Sequence, residues 1–147
     1  MNVADCLGEG LLKKVQPDAE KADSSLEMAG HKLELAQKEY TGGIYENAVV
    51  SAYASMFHSA RSLLFRDGYK ERSHYALFVY LDEKYANRIE RRYLNEFNAL
   101  RLERHELMYG LDMEEEVKQA QAEDAIGIAA GFLEAVKKLK TDALPKI

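Results

Sequence analysis

The absence of proline from the interior of this chain constrains its fold more than any other feature. The chain has two prolines, Pro17 and Pro145, and the sequence between them is rich in alanine, leucine, glutamate and lysine. Proline breaks helices, whereas these four residue types favour them, so long helices can run through the whole region. The sequence therefore predicts an all-α fold.

The apolar residues that follow Pro17 recur at steps of four, three, four, three and four residues. Because a helix turns once in about 3.6 residues, this spacing gives one apolar stripe along a helix and excludes a strand. The members of the stripe are Ala22, Leu26, Ala29, Leu33, Ala36 and Tyr40. Similar patterns predict a short turn at 11–15 and further helices at about 44–65, 73–87, 88–109 and 123–140. Asp18 and Ser73 can cap the second and fourth helices, because short polar side chains accept from the free N–H groups of a first turn.

These elements predict an up-and-down bundle of four to five main helices. The chain has neither an internal repeat nor a linker long enough to divide it, so we expect one domain over residues 1–147. Its expected parts are an N-terminal extension at 1–16, the bundle at 17–140 and a tail at 141–147.

The third helix differs from the others because Ala48–Ala60 carries no formal charge. A helix that is apolar nearly all round is buried in a bundle or at an interface. Together with the apolar fourth helix at 75–80, it gives more apolar surface than a bundle this small easily hides, so we expect a homodimer. On the last helix, the inward positions are predicted to be Ile126, Ala130, Leu133 and Val136. The side chains expected in the core or the dimer seam are Tyr53, Met56, Phe57, Leu63, Leu64, Phe78, Phe97, Leu100, Ile126 and Leu133.

The charges are unevenly distributed along the chain, whose net charge of -5 excludes a uniformly basic nucleic-acid coat. All eight arginines lie between Arg61 and Arg104, a stretch that has ten basic and seven acidic residues and a local net charge of +3. Arginine pairs bidentately with phosphate and carboxylate groups. The arginine-rich middle therefore indicates either a site for an anionic ligand or internal pairing with acidic residues.

The segment RLERHELMYG places several reactive side chain types near one end of the fifth helix. Arg101 and His105 lie four residues apart and share a face, Tyr109 follows one turn later, and Arg104 falls within the apolar stripe. Histidine suits proton transfer near neutral pH, and arginine stabilises charge on a phosphoryl oxygen. One interpretation is a phosphodiester-cleaving site with Arg101, His105 and Tyr109 as catalytic residues and Arg104 as a ligand contact. The other is an ordinary helix flank, with Arg101 and Arg104 paired to Glu103, Glu106 or the acidic stretch after Gly110.

A second group of polar residues lies on the third helix, where Ser51, Ser55, His58 and Ser62 are spaced four, three and four apart. Small hydroxyl side chains permit close helix packing, which gives the strip a structural interpretation. The functional interpretation puts Ser55 and His58 on the opposite wall of the cleft that Arg101 and His105 would line, as ligand-binding residues.

Other classes of site have little support in the sequence. His31 and Glu34, with Glu27 one turn earlier, fit an exposed charged face better than a metal site, so we expect neither a metal nor a cofactor. The single Cys6 excludes an internal disulfide, and its position indicates a mobile terminus. The longest apolar run is far shorter than the roughly 20 residues that span a bilayer. With no secretory signal, the expected location is cytoplasmic, without a membrane partner.

Two stretches of the sequence are similar to a known family. The first is YENAVVSAYASMFHSARSLLFRDGYKERSHYAL at 45–77, with its pattern A-Y-x-x-M-F-H-x-A-R, and the second is RLERHELMYG at 101–110. Both resemble the HEPN superfamily, in particular its stand-alone prokaryotic branch associated with toxin–antitoxin pairs. The resemblance implies a helical bundle, a homodimer, a minimal nucleotidyltransferase as partner, and RNA or a nucleotide as ligand.

Active members of that family are metal-independent ribonucleases with an R-x(4-6)-H motif, from which this chain departs. The positions that should hold the arginine are Asn98, Ala99 and Leu100, while Arg101 precedes His105 by three intervening residues. Arg104 and Tyr109 match an arginine and a tyrosine of the branch, which favours a structural or ligand-contacting arginine. Three functions follow: a non-catalytic binding module, a divergent endoribonuclease with a composite site across the dimer, or a structural scaffold.

Overall fold

A computed structural model describes residues 1–111 and 116–141 of the chain. This part is a helical bundle with one small two-stranded sheet, which confirms the all-α class. Residues 142–147 of the expected tail lie outside the described residues. The elements are α1 (Val3–Gly8), β1 (Leu12–Lys14), α2 (Ala19–Thr41), α3 (Tyr45–Asp67), β2 (Tyr69–Glu71), α4 (His74–Lys84), α5 (Arg91–Tyr109) and α6 (Gln119–Thr141).

The third helix, α3, is the centre of the bundle. α2 runs along its length, and α5 and α6 pack on its remaining faces. Alanines and serines line the α2–α3 contact, and the Ser55 hydroxyl donates to the Ala29 carbonyl at 2.8 Å. Because such small side chains let two backbones approach closely, the uncharged segment of α3 is covered within one chain. Its burial therefore gives no evidence for a dimer.

Two of the helices begin where the sequence predicts. Asp18 caps α2 by accepting from the backbone N–H of Lys21 at 2.9 Å, and Ser73 caps α4 by accepting from that of Ala76 at 3.0 Å. α3 ends at Asp67, and the residue that caps it, Gly68, has a left-handed φ of 88°. A Cβ at Gly68 would lie 2.9 Å from the Val15 carbonyl oxygen, so this turn requires glycine on both grounds.

The N-terminal extension is packed against the bundle, contrary to the expected mobile terminus. α1 contacts α4, where the backbone N–H of Val3 donates to the Glu83 carboxylate at 3.1 Å, and the side chain of Cys6 is fully buried. The turn expected at 11–15 is instead β1, which pairs antiparallel with β2. The sequence misses this sheet because strands of three residues are too short to show an alternating pattern.

The predicted inward face of α6 is rotated relative to the observed one. Ile126 and Ala130 are half-buried, whereas Leu133 and Val136 are buried as expected. The positions facing α3 are mainly alanines, which carry little weight in an apolar pattern and so displace the predicted stripe. The buried residues of α6 are Ala122, Ala125, Ala129, Phe132, Leu133, Val136 and Leu139.

Most of the expected core residues are buried. Phe57, Phe78 and Ile126 are only half-buried. Along α5 the apolar stripe is buried up to Leu100, but Leu111 at its far end is 97% exposed. The C-terminal half of α5 therefore extends beyond the region that the bundle covers. The buried members of the expected set are Tyr53, Met56, Leu63, Leu64, Phe97, Leu100 and Leu133.

Candidate functional site

Aromatic rings stack where α3, α4 and α5 meet. The ring of His74, in the first turn of α4, lies 4.4 Å from that of Phe57 and 5.7 Å from that of Tyr53, measured between centroids. The Tyr53 phenol oxygen is 2.8 Å from Nδ1 of His74. On its other side, Tyr53 stacks on the buried Phe97 at 5.6 Å. The stack is thus anchored in the core and fixes the position of His74.

Two arginines of α5 lie over this region. The guanidinium carbon of Arg104 is 5.8 Å from the Tyr53 ring centroid, and that of Arg101 is 5.2 Å from the Tyr75 ring centroid. The Nε and Nη2 groups of Arg101 donate to the Asn98 side chain at 3.1 and 2.9 Å. We refer to Tyr53, Phe57, His74, Arg101 and Arg104 as the arginine–aromatic cluster.

The two arginines form no ion pair within residues 1–111 and 116–141. Glu103, which the alternative interpretation offered as a partner, is half-buried on α5. Burial, followed by the neighbouring charge of Glu96, raises the pKa of the Glu103 carboxyl. Both half-buried guanidiniums therefore keep a positive charge that no described carboxylate neutralises.

The positive charge acts on the titratable groups of the cluster. Burial, followed by the charges of Arg104, Arg101 and Arg61, lowers the pKa of His74 below its ordinary value of 6.5. Burial raises the pKa of Tyr53, and the two α5 arginines oppose that shift. Near neutral pH the cluster thus holds a neutral imidazole and a neutral phenol under two cations. That arrangement has the electrostatics of an anion site.

A third arginine at the edge of the cluster is already paired. Arg61 lies over the rings of Phe57 and Phe65, at 5.4 and 5.1 Å from their centroids. Its Nε is 2.8 Å from a Glu71 carboxylate oxygen. Arg61 therefore ties α3 to β2, whereas Arg101 and Arg104 form no ion pair with a described residue.

His105 and Tyr109 lie beyond the cluster on the exposed half of α5. Their ring centroids are 5.0 Å apart, and the Tyr109 side chain is 61% exposed. His105 shares a helix face with Arg101, but the described residues give its imidazole no hydrogen-bond partner. The structure therefore brings His105 and Tyr109 together and places them in solvent within a single chain.

The structure does not place Ser55 and His58 opposite these residues. Ser55 is fully buried against α2, where its hydroxyl bonds the Ala29 carbonyl. His58 is half-buried, and burial together with Arg61 and Lys32 lowers its pKa. The expected shared cleft is wrong in geometry because the four-three-four strip of α3 faces α2. Tyr53 and Phe57, on another side of the same helix, provide the wall.

Sequence reasoning missed His74, although Arg104 and Arg101 of α5 contribute to lowering its pKa. It follows Ser73, the residue whose side chain caps α4, so its backbone position was predictable. Its partnership with Tyr53 joins residues 21 positions apart on different helices, and no spacing rule along one helix reveals such a contact.

Apolar side chains are exposed next to the arginines. Leu102, Met108 and Tyr109 on α5 are 53%, 48% and 61% exposed, and Leu111 follows them. Tyr75, under Arg101, is 38% exposed. We refer to these five residues as the α5 apolar patch. Adjacent exposed apolar side chains of this size mark interaction surfaces in soluble proteins.

No group of three or more histidine, cysteine, aspartate or glutamate side chains within 1–111 and 116–141 is arranged to hold a metal ion. Over the same residues, no helix combines the length and the apolar character needed to cross a bilayer.

Comparison with known proteins gives one assignment. No curated protein matches the chain. A family model described as HEPN domain matches residues 22–139, from the second turn of α2 almost to the end of α6. This match spans well over half of the chain and includes every residue of the arginine–aromatic cluster. The chain belongs to the HEPN domain family, and at the level of that family it is a nucleotide- or RNA-associated module.

Proposed function

We propose that this protein is a non-catalytic HEPN module that binds a phosphate group of RNA or a nucleotide at the arginine–aromatic cluster. In this proposal it works as a cytoplasmic homodimer beside a minimal nucleotidyltransferase, in a toxin–antitoxin-like pair. The observation that carries the ligand part is the pair Arg101 and Arg104, which lie on aromatic rings without a described carboxylate partner. The partner part rests on the family resemblance.

The physical argument starts from the charge of the two guanidiniums. A half-buried charge without a counter-charge lowers stability, whereas a bound phosphate would neutralise it and accept bidentate hydrogen bonds. Aromatic rings beside such arginines give a base a surface on which to stack, as in sites for single-stranded nucleic acid. In this arrangement Arg104 would bind the phosphate group, and the exposed Tyr75 ring would stack on the base.

The α5 apolar patch supports the dimer. Leu102, which follows Arg101 on α5, and Leu111, two residues beyond the end of α5, each expose more than half of their surface. A two-fold interface through this patch would cover the apolar surface and bring two arginine–aromatic clusters close to each other. The dimer seam proposed here is thus α5 and the start of α4, rather than the buried α3.

The endoribonuclease remains the second candidate because of one specific contact. His105 and Tyr109 touch each other on the exposed end of α5, one turn from Arg101. A two-fold axis through the patch would bring the two copies of this group together, which is the composite site that the resemblance implies. The scaffold alternative has less support, since it requires Arg104 to be paired within the chain, and no carboxylate within residues 1–111 and 116–141 forms an ion pair with it.

Binding and cleavage are tested together with a fluorescently labelled single-stranded RNA, at low and at physiological salt. Salt-sensitive binding with the RNA intact is the expected result, because each phosphate contact releases counterions. Metal-independent cleavage that His105→Ala abolishes, without loss of binding, would favour the endoribonuclease instead. ATP is tested in the same way as a nucleotide ligand. If neither the RNA nor ATP binds at low salt, the ligand-binding function is contradicted.

A further inference from the structure

A second basic surface lies away from the arginine–aromatic cluster. β1, β2 and the start of α2 enclose a surface cavity of about 370 Å³. Its lining includes Lys13 and Lys70 from the sheet, Lys21 from α2, and Arg72 from the turn before α4. None of the five cluster residues lines this cavity, and the proposed function leaves it unused.

The sheet holds two of these lysines in an unfavourable arrangement. Lys13 and Lys70 are direct partners in the antiparallel register of β1 and β2. Like charges directly opposite each other destabilise a sheet, and this sheet has three residues in each strand. Neither lysine forms an ion pair with a described residue. An anion bound between the two ammonium groups would attract both and offset their repulsion.

The remaining charges of the cavity add to the same potential. Lys21 Nζ lies 5.8 Å from the centroid of the Phe65 ring, which forms part of the wall. Among the described residues that line the cavity, Asp18 is the only acid, and its carboxylate accepts from the Lys21 backbone as the cap of α2. Four cations and one carboxylate give the lining a net charge of +3. The N-terminus of α2 contributes further positive potential.

The backbone around the cavity is held by hydrogen bonds of its own. The Val15 N–H donates to the Gly68 carbonyl at 2.9 Å, and the Asp18 N–H donates to the Phe65 carbonyl at 2.8 Å. The Arg72 N–H donates to the Leu11 carbonyl at 2.9 Å and extends the pairing of the two strands. The cavity is therefore formed before any ligand arrives, while its exposed lysine side chains remain free to close on one.

We infer that this cavity binds a compact anion with two or more linked phosphate groups, either free or as the polyphosphate tail of a nucleotide. Linked phosphates supply several negative charges within a small volume, which matches a cavity of this size and a lining charge of +3. A nucleic-acid strand spreads its charges along a backbone and requires an extended groove instead. Lysines bind phosphate as point charges, without the planar geometry that arginine imposes. This inference does not depend on the proposed function.

The test is calorimetric titration of the full chain with inorganic tripolyphosphate, ATP and adenosine at low salt. Tripolyphosphate and ATP are expected to bind, and adenosine is not. Equal affinities would identify the phosphate chain alone as the ligand, whereas a tighter ATP complex would identify a nucleotide tail. Absence of binding by both phosphate ligands at low salt would overturn the inference.

Substitutions locate the binding and separate it from folding. Lys13→Ala and Lys70→Glu are each expected to weaken tripolyphosphate binding at least tenfold. Lys70→Glu should also raise the Tm of the free protein, because it replaces a like-charge pair with an opposite-charge pair. Lys38→Ala, near the other end of α2, is the matched control and should bind as the wild type does. Wild-type affinity in both Lys13→Ala and Lys70→Glu would overturn the inference.

One further variant keeps this site distinct from the arginine–aromatic cluster. Arg104→Ala should keep the tripolyphosphate binding that Lys13→Ala and Lys70→Glu weaken, with the wild-type affinity for this cavity, whatever it loses at the cluster. Loss of tripolyphosphate binding in Arg104→Ala, with full binding in Lys13→Ala, would assign the ligand to the cluster and overturn the inference. Failure of RNA binding at the cluster would leave the result at the cavity unaffected.

Discussion

The phenol oxygen of Tyr53 lies 2.8 Å from Nδ1 of His74 and joins the middle of α3 to the first turn of α4. The same Tyr53 ring has Phe97 stacked on it and the Arg104 guanidinium over it. A core aromatic, a titratable imidazole and a cation that forms no ion pair with a described residue thus meet on one side chain. The site and the core are therefore coupled, and variants of the site need a stability measurement beside each binding measurement.

The titration of His74 should report the charge of the cluster. Since burial and the three arginines lower its pKa in the folded state, we expect the His74 imidazole to be more than half neutral at pH 6.5, where a free histidine is half protonated. An NMR titration of the imidazole protons measures this directly. Arg104→Ala should move the pKa of His74 back towards 6.5. An unchanged pKa in that variant would show that Arg104 does not act on His74.

The same shift predicts how stability depends on pH. Because the folded pKa of His74 lies below its unfolded value, the unfolded chain binds the proton first as the pH falls. The contribution of neutral His74 to stability is therefore complete above about pH 6.5 and is lost between that value and the lower folded pKa. His74→Gln should lose less stability than the wild type between pH 7.5 and 5.5, as measured by urea unfolding. Equal losses would contradict this prediction.

Phe97→Ala should destabilise the protein strongly. Phe97 is fully buried and stacks on Tyr53 and on Phe132, at centroid distances of 5.6 and 5.9 Å. Removing a buried aromatic ring leaves a cavity and costs about 3–5 kcal/mol in the free energy of unfolding. Phe78→Ala, at a half-buried position, provides the comparison and should cost clearly less. Similar losses in both variants would show that the core is not centred on Phe97.

Replacing each of two glycines of α6 by alanine should change the free energy of unfolding in opposite directions. A Cβ at Gly127 would have open space, whereas a Cβ at Gly131 would lie 2.5 Å from the phenol oxygen of Tyr93. Gly127→Ala should therefore raise the free energy of unfolding by about 0.5–1 kcal/mol, through helix propensity alone. Gly131→Ala should lower it, because the buried Tyr93 ring must move. Chemical denaturation of both variants checks the pair, and stabilisation by Gly131→Ala would contradict the packing of α5 on α6.

The α5 apolar patch predicts the oligomeric state. At micromolar concentration, light scattering should return twice the monomer mass of 16.7 kDa for the wild type. Leu102→Asp should return the monomer with an unchanged helical spectrum, since Leu102 is 53% exposed and lies outside the core. A monomeric wild type, or a Leu102→Asp variant that remains a dimer, would contradict the proposal that the α5 apolar patch forms the dimer interface.

The fold was largely predictable because long helices leave strong local signals. The stripe from Ala22 to Tyr40, the Asp18 and Ser73 caps and the buried α3 each follow from local spacing and residue type. Phe132 was missed because the alanines beside it on α6 carry little apolar weight. The β1–β2 sheet was missed because its strands are too short to show a period.

The site was less predictable because it depends on contacts between helices. Helical spacing placed Arg101 and Arg104 near one another on α5, and the structure keeps them there. Helical spacing does not determine which side of α3 faces α5. It therefore could not predict that Tyr53 and Phe57, rather than Ser55 and His58, lie opposite the two arginines. His74 lies in the cluster because α4 packs its first turn against Tyr53 of α3, a contact that no local sequence pattern indicates.

The affinity of Arg104→Ala for single-stranded RNA at low salt tests the central proposal most directly. Fluorescence anisotropy would compare it with the wild type and with Arg88→Ala, whose arginine also lies over a tyrosine ring, at 5.5 Å from the Tyr85 centroid. If all three proteins melt alike, we predict at least a tenfold loss of affinity in Arg104→Ala and wild-type affinity in Arg88→Ala. Equal affinity in Arg104→Ala and the wild type would contradict the proposal that the arginine–aromatic cluster binds phosphate.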